Sequence, residues 1–540
     1  LRRPRRLKHP ITNKTQSSHL GFSGQPPPKA LNLAAYCLAP ASQRPPDKPA
    51  LIVIEDVSAK TPAEVWTYGE LDEAVRRVAA GLSARGLPRG SRIVLSLGNT
   101  SAFPLAFFGA IAAGFVPIPT SAALTPSELA FIVADSEAEL VICDDEQAAS
   151  ALPSNVALYG RSELHHLIDF PESSDYVATH SDDPAYLIYT SGTTASPKGV
   201  IHAHRAAWGR RPMYQGWYGI TPEDRVLHAG AFNWTFTLGT GLTDPWANGA
   251  TAIIFTGEKN PAVWPNLIEK TEASIFAAVP GLIRQILKYA DVDPTRMPTL
   301  RHALIAGEAP PPDLFEEWTE RTGRQLYEAL GMSEISTYIS SSPTVPRKSG
   351  TVGRAQPGRS IAILSEEAGN EPLAPGEPGL IAIHRTDPGL MLGYWKRPDE
   401  EAAVIRGDWF VGGDLGVMDS EGYISHLGRA DDVIKALGYR IAPQEVEAVL
   451  VQHPHVAECA CAALEVSSGV TILCAFIVAQ NSGSPPRQDD LLAFAASRLA
   501  AYKCPREIRF IDKLPRTANG KIKRSILSKE EEPMENSETR

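Results

Sequence analysis

The chain has 540 residues, more than one hydrophobic core accommodates, so it divides into at least two domains. Hydrophobic residues make up 43% and charged residues 21%, an ordinary globular composition. The formal net charge of -10 provides no overall basic field for nucleic acid. The six cysteines form no Cys-x-x-Cys pair, and His202/His204 and His453/His455 are close pairs without a third ligand cluster. Neither a disulfide framework nor a zinc site is expected, and a reducing compartment fits.

Residues 1–30 are Pro-rich and basic, with Arg2, Arg3, Arg5, Arg6 and Lys8 and no acidic residue before Asp47. They read as a disordered leader without the apolar core of a secretory signal. The expected location is cytoplasmic, with the mitochondrial matrix as the alternative if the leader is a transit peptide. No apolar run reaches the ~20 residues that cross a bilayer.

Residues 50–54 form a β-branched run typical of a buried strand, and 71–87 carry helical apolar spacing with Gly86 as a C-cap. Residues 92–97 read as strand and 102–113 as an apolar helix ending at Gly114. Short apolar runs at 140–143, 252–255, 275–279 and 304–305 continue the alternation. The pattern predicts an α/β fold: a large N-terminal domain of mainly parallel sheets flanked by helices. Beyond residue 432 a helix at 443–451, a strand at 472–478, a helix at 489–499 and a strand at 508–511 predict a small α+β domain. Residues 529–540 are a charged, frayed tail.

The most informative stretch follows the apolar strand 186–189: Thr190-Ser191-Gly192-Thr193-Thr194-Ala195-Ser196-Pro197-Lys198-Gly199. Hydroxyls and backbone N–H groups donate to phosphate oxygens, glycine permits close approach, and lysine supplies charge. It lacks the spacing of a Walker A loop. The bland alternative is a Ser/Thr-rich surface turn.

This loop resembles the signature of the adenylate-forming superfamily, which includes acyl-CoA synthetases, peptide-synthetase adenylation domains and firefly luciferase. The resemblance covers roughly residues 31–530. Gly307-Glu308-Ala309 resembles the adenine-side turn, and Glu328-Ala329-Leu330-Gly331-Met332-Ser333-Glu334 the Tyr-Gly-x-Thr-Glu segment. Gly413-Asp414-Leu415-Gly416 resembles the ribose element, Arg429-Ala430-Asp431-Asp432 the hinge, and Asn519-Gly520-Lys521 the C-terminal lysine loop.

The resemblance implies ATP, Mg²⁺ and coenzyme A as cofactors, and a boundary scheme of 31–428 for the ATP- and acid-binding domain, 429–432 for the hinge and 433–528 for a mobile lid. Lys198 and the loop before it would hold phosphate, and Asp414 both ribose hydroxyls, as two carboxylate oxygens can. Arg429 would reach the ribose or phosphates, and Arg440 would be a further cation for phosphate or substrate, with a purely structural role the alternative. Glu334 would hold Mg²⁺, a hard cation that prefers oxygen. Ser333 replaces the usual threonine and keeps the hydroxyl, whereas Leu330 replaces the aromatic that stacks on adenine. Lys521 would stabilise the charge of the adenylation transition state. Rotation about Asp431 would then present Leu437-Gly438-Tyr439, where a residue without a side chain lets the pantetheine arm of CoA pass.

Asn233-Trp234 and the segment 244–250 resemble medium-chain acyl-CoA synthetases. Phe232, Trp234 and Gly331 are candidate acyl-pocket walls, with core packing the competing account of the aromatic pair. Acetyl-CoA synthetases carry a tryptophan at the position of Gly331, so an acid larger than acetate is expected, medium-chain or aromatic. The expectation is an AMP-forming acid:CoA ligase acting on a small-molecule acid, with a homodimer compatible with the sequence. The alternatives are a stand-alone enzyme that loads a carrier protein and a non-catalytic nucleotide-binding homologue.

Overall fold

The computed structural model describes residues 21–145, 150–190, 197–311, 313–430, 434–436, 439–441, 443–467, 470–480, 485–516 and 522–528. The central element is a fourteen-stranded sheet among the described residues. Six of its strands run parallel in the order Pro49–Ile54, Thr251–Phe255, Arg225–His228, Ile275–Ala278, His302–Ala306 and Gln325–Met332. Strands such as Ile275–Ala278 are unbroken apolar runs because helices cover both faces, whereas Gln325–Met332 is mixed and only partly buried. From Ser336–Ser340 onward the direction alternates, through Gly353–Ala355, Tyr423–Arg429, Trp409–Met418, Pro378–His384 and Ile361–Leu364. The α/β class is as the sequence predicted.

A second, parallel sheet orders Val116–Pro119, Arg92–Ser96, Leu140–Cys143 and Ala157–Tyr159. The helix Ala102–Ala112 is buried along nearly its whole length, which explains why it is apolar all round. The helix Tyr68–Ser83 begins three residues earlier than its apolar spacing suggested. Thr67 and Glu70 form a capping box there, Thr67 Oγ1 accepting from Glu70 N at 3.2 Å and Glu70 Oε2 from Thr67 N at 2.8 Å.

A third sheet pairs Pro184–Thr190 with Lys198–Ala203, and the latter with Gly393–Tyr394. This antiparallel pairing places Thr190 directly across from Lys198 at the two ends of the phosphate-loop motif.

C-terminal to these, Val456–Ser467, Val470–Ala479 and Glu507–Phe510 form a three-stranded sheet. The helices Pro443–Leu450 and Gln488–Ala496 pack on it around Val446, Leu450, Cys461, Ile477, Leu491 and Ile508, a core separate from those of the large sheet. No helix among the described residues is long and apolar enough to cross a membrane.

Candidate active site

In a parallel sheet the carboxyl ends of the strands are where ligands settle, because helix starts and loops converge there. Here that edge carries His228, Ala278, Ala306 and, at the hairpin beyond Met332, Ser333 and Glu334. The strand His302–Ala306 ends in the exposed turn Gly307-Glu308-Ala309, with Gly307 at φ +100. Glu308 Oε1 accepts from Gly281 N at 2.7 Å, at the start of the helix Pro280–Tyr289. A carboxylate suits a helix N-terminus, so Glu308 anchors this turn. Trp234 lies against it, its Cζ3 4.0 Å from where a Gly307 Cβ would sit. Phe232 is buried and stacks on Phe103 at 5.1 Å, so its ring belongs to the core cluster around the helix Ala102–Ala112.

The hairpin from Gln325–Met332 to Ser336–Ser340 positions the next group. Its register slips between Leu330 and Gly331, and a Gly331 Cβ would lie 2.6 Å from Ser336 O and 2.8 Å from Thr337 Cα. Any side chain at 331 is therefore excluded by the opposing backbone, a second reason for glycine besides pocket size. Ala329 is buried, while Leu330 and Met332 pack partly on the cluster around Ile335 and Phe410.

Burial pushes the Glu328 carboxyl from its ordinary 4.5 up to about 8, with the Arg347 charge opposing the shift. A carboxyl that prefers its proton in the fold gives its full stabilisation below pH 4.5 and loses it as pH rises through about 8. Glu328→Gln is accordingly expected to melt above the wild type at pH 9 and to converge with it in acid. Parallel melting profiles from pH 5 to 9 would contradict the assignment.

Glu334 Oε1 accepts from the Tyr394 hydroxyl at 2.7 Å. Lys198 Nζ sits 3.9 Å from the centroid of that same tyrosine ring and 3.1 Å from Glu400 Oε2. Asp414 is buried on Trp409–Met418, with His426 Nε2 3.0 Å from Oδ1 and Arg429 3.8 Å from Oδ2. Arg429 also donates to Gly412 O at 2.7 Å. The buried Tyr338 hydroxyl has no hydrogen-bond partner among the described residues. Its ionisation is raised well above the usual range, by burial first and then by Asp414 and Glu334, with Arg429 opposing. Tyr338 thus lies within electrostatic reach of Asp414, Glu334 and Arg429.

The structure therefore brings Thr190, Lys198, Glu334, Asp414 and Arg429 into adjoining positions with defined partners. Tyr439 and Arg440 lie on the strand Tyr439–Ile441, paired with Ile434–Ala436. Ser191, Gly192, Thr193, Thr194, Asp431, Leu437, Gly438 and Lys521 lie outside the described residues. Sequence reasoning missed His228 at this edge, and Tyr338, Tyr394, Glu400 and His426 beside the groups above. The signal for His426 was present: Asp419-Ser420-Glu421-Gly422 is a turn, and folding the strands back on it brings His426 beside Asp414. The others belong to no short motif.

The architecture and the charged groups at this edge are those of an enzyme that activates its substrate with a nucleotide. The family model for the AMP-binding enzyme matches residues 38–395, and that for the AMP-binding enzyme C-terminal domain matches 445–521. The 3-hydroxybenzoate–CoA ligase of Aromatoleum sp. (strain CIB) is 30% identical over 519 residues, 92% of this chain and 96% of the relative. Human mitochondrial acyl-coenzyme A synthetase ACSM2A is 30% identical over 500 residues, 88% of this chain and 86% of the relative. The crystal structure of a benzoate CoA ligase from Burkholderia xenovorans LB400 aligns with a TM-score of 0.81 at 31% identity, covering 92% of this chain and 100% of that one. The chain belongs to the AMP-binding enzyme family, within the adenylate-forming superfamily.

Proposed function

We propose that the protein is an ATP-dependent acid:CoA ligase. It joins a carboxylate to AMP with release of pyrophosphate, then passes the acyl group to the CoA thiol with release of AMP. The observation that carries this reading is the grouping of Lys198, Glu334, Asp414 and Arg429 around one edge, in a chain that matches CoA ligases over nearly its whole length.

Lys198 binds triphosphate oxygens. Asp414, fixed by His426, accepts from the ribose hydroxyls, and Arg429 adds charge beside it. Glu334 has the hard oxygen donors that suit Mg²⁺, and Tyr394 orients them; a magnesium ion held there through one carboxylate and phosphate oxygens would offset phosphate charge. Lys521 stabilises charge as the acid attacks, and the Gly438 segment admits the thiol once the C-terminal unit has turned about Asp431.

The acid is larger than acetate and carries a polar group on its body. Three buried polar atoms in and between Arg225–His228 and Thr235–Leu238 lack hydrogen-bond partners among the described residues: His228 Nε2, Trp234 Nε1 and Thr237 Oγ1. His228 Nδ1 accepts from Gly230 N at 2.9 Å, and burial lowers the ring's ionisation to about 3, so the neutral ring carries its proton on Nε2 as an uncommitted donor. Buried donors are normally satisfied, and a hydroxyl or carbonyl on the acid does so where a plain hydrocarbon cannot.

A panel of hydroxylated and unsubstituted benzoates and medium-chain acids, assayed with ATP, Mg²⁺ and CoA for AMP and acyl-CoA, tests this. The expected result is CoA-dependent thioester formation with a hydroxylated acid preferred. His228→Phe is expected to shrink that preference about 10-fold or more in kcat/KM. A preference for plain alkyl acids would overturn the polar pocket, and dependence on a carrier protein would overturn CoA as acceptor.

A further inference from the structure

The contact between Lys198 and Glu400 has no place in the chemistry above. Lys198 opens the strand Lys198–Ala203 opposite Thr190, and its side chain is 18% exposed. Its ammonium faces Glu400 Oε2 at 3.1 Å and lies over the Tyr394 ring. Glu400 comes from the short helix Pro398–Ala403, 202 residues further along the chain.

That helix is fastened to the phosphate-loop strands from behind. Arg397, just before it, donates to Asp135 Oδ1 at 2.7 Å, while the Tyr189 hydroxyl donates to Asp135 Oδ2 at 2.7 Å and Trp395 Nε1 to Asp135 O at 2.9 Å. Arg397 Nε also lies 3.8 Å from Glu400 Oε1. Glu400 is thus presented to Lys198 by a built support.

A carboxylate and a phosphoryl oxygen are the same kind of partner for an ammonium, anionic acceptors at hydrogen-bond distance. The pair is partly exposed, 18% and 34% at the two side chains, so it is weak enough to exchange. We propose that Glu400 is a positioning residue that occupies Lys198 in the absence of phosphate, yields it to ATP, and retakes it as pyrophosphate leaves. The proposal rests on the reading of Lys198 as the phosphate grip. Its consequence is selective: Glu400 weakens ATP and pyrophosphate by the same factor and leaves AMP untouched, because AMP lacks the outer phosphates.

The test uses the full chain with Glu400→Gln, Lys198→Met and the double variant, scored by KM for ATP and by product inhibition constants. For Glu400→Gln, KM for ATP and the inhibition constant of pyrophosphate are expected to fall together by about 2- to 5-fold, the size of a partly exposed ion pair. The AMP inhibition constant should hold. In the Lys198→Met background the second substitution should have no further effect.

A rise or no change in ATP KM for Glu400→Gln, with Lys198→Met still weakening ATP, would overturn the exchange role and leave the phosphate grip standing. If Lys198→Met itself leaves ATP and pyrophosphate unchanged, the grip fails and the proposal with it. A parallel shift of AMP inhibition would mean that Glu400 only supports the fold, which also overturns it.

Discussion

Replacing Lys521 with alanine is expected to cut acid-dependent ATP–pyrophosphate exchange by about 10²- to 10³-fold, the cost of removing one preorganised charge from a transition state. Conversion of supplied acyl-adenylate and CoA to the thioester should stay within a few-fold of wild type, because in the proposed role the lysine acts only where negative charge builds on the attacking carboxylate and the α-phosphate. The chain on either side of the motif is pinned together, Arg516 bridging Ile522 and Lys523 N donating to Pro515 O at 2.8 Å. Assaying the two half-reactions separately decides the matter. Equal losses in both would refute the division of labour.

The second large effect lies behind the site. Arg210 and Asp244 are paired in the interior, Arg210 Nε and one terminal nitrogen each donating to a different Asp244 oxygen at 2.7 Å. Asp244 is fully buried, and the Tyr218 hydroxyl donates to it at 2.5 Å. Arg210 also donates to Ser336 Oγ at 2.5 Å, at a residue with φ +75 that closes the turn bearing Ser333 and Glu334. Gly239 makes the room: a Cβ there would lie 2.0 Å from the guanidinium.

Asp244→Ala leaves Arg210 as a buried charge without its counter-ion, a loss of about 3–5 kcal/mol. For a domain of this size that corresponds to about 4–6 °C in melting temperature. The double variant Arg210→Met/Asp244→Leu should recover most of that stability, since burying neither charge avoids the desolvation cost. Its adenylation should stay impaired on the proposed reading, because Ser336 has lost the group that fixes the turn carrying Ser333 and Glu334. A single variant as stable as wild type by calorimetry, or a double variant with full activity, would remove the pair from this role.

Some features were legible because their causes are local. The helix expected at 102–113 is observed at Ala102–Ala112, an apolar run that stops at Gly114 with φ +80. Strands such as Ile275–Ala278 announce themselves by being apolar on both faces. Ser333, Glu334 and Asp414 stood out through the residues beside them. Leu330 and Gly331 were read as pocket chemistry, whereas the register slip in the hairpin gives glycine at 331 a steric reason that no neighbour in sequence reveals.

The amino-acid order alone determined the alternation of strands and helices, the phosphate-loop motif and the family, since each rests on residues a few positions apart. Only the tertiary structure decided which partner each charged group meets. Glu400 reaches Lys198, Tyr394 reaches Glu334 and Arg210 reaches Ser336 through sheet register and crossing connections. The physical reason is that backbone preference and apolar spacing act over single turns and strands. The electrostatics of a site depend on distances that close only when the sheet is assembled.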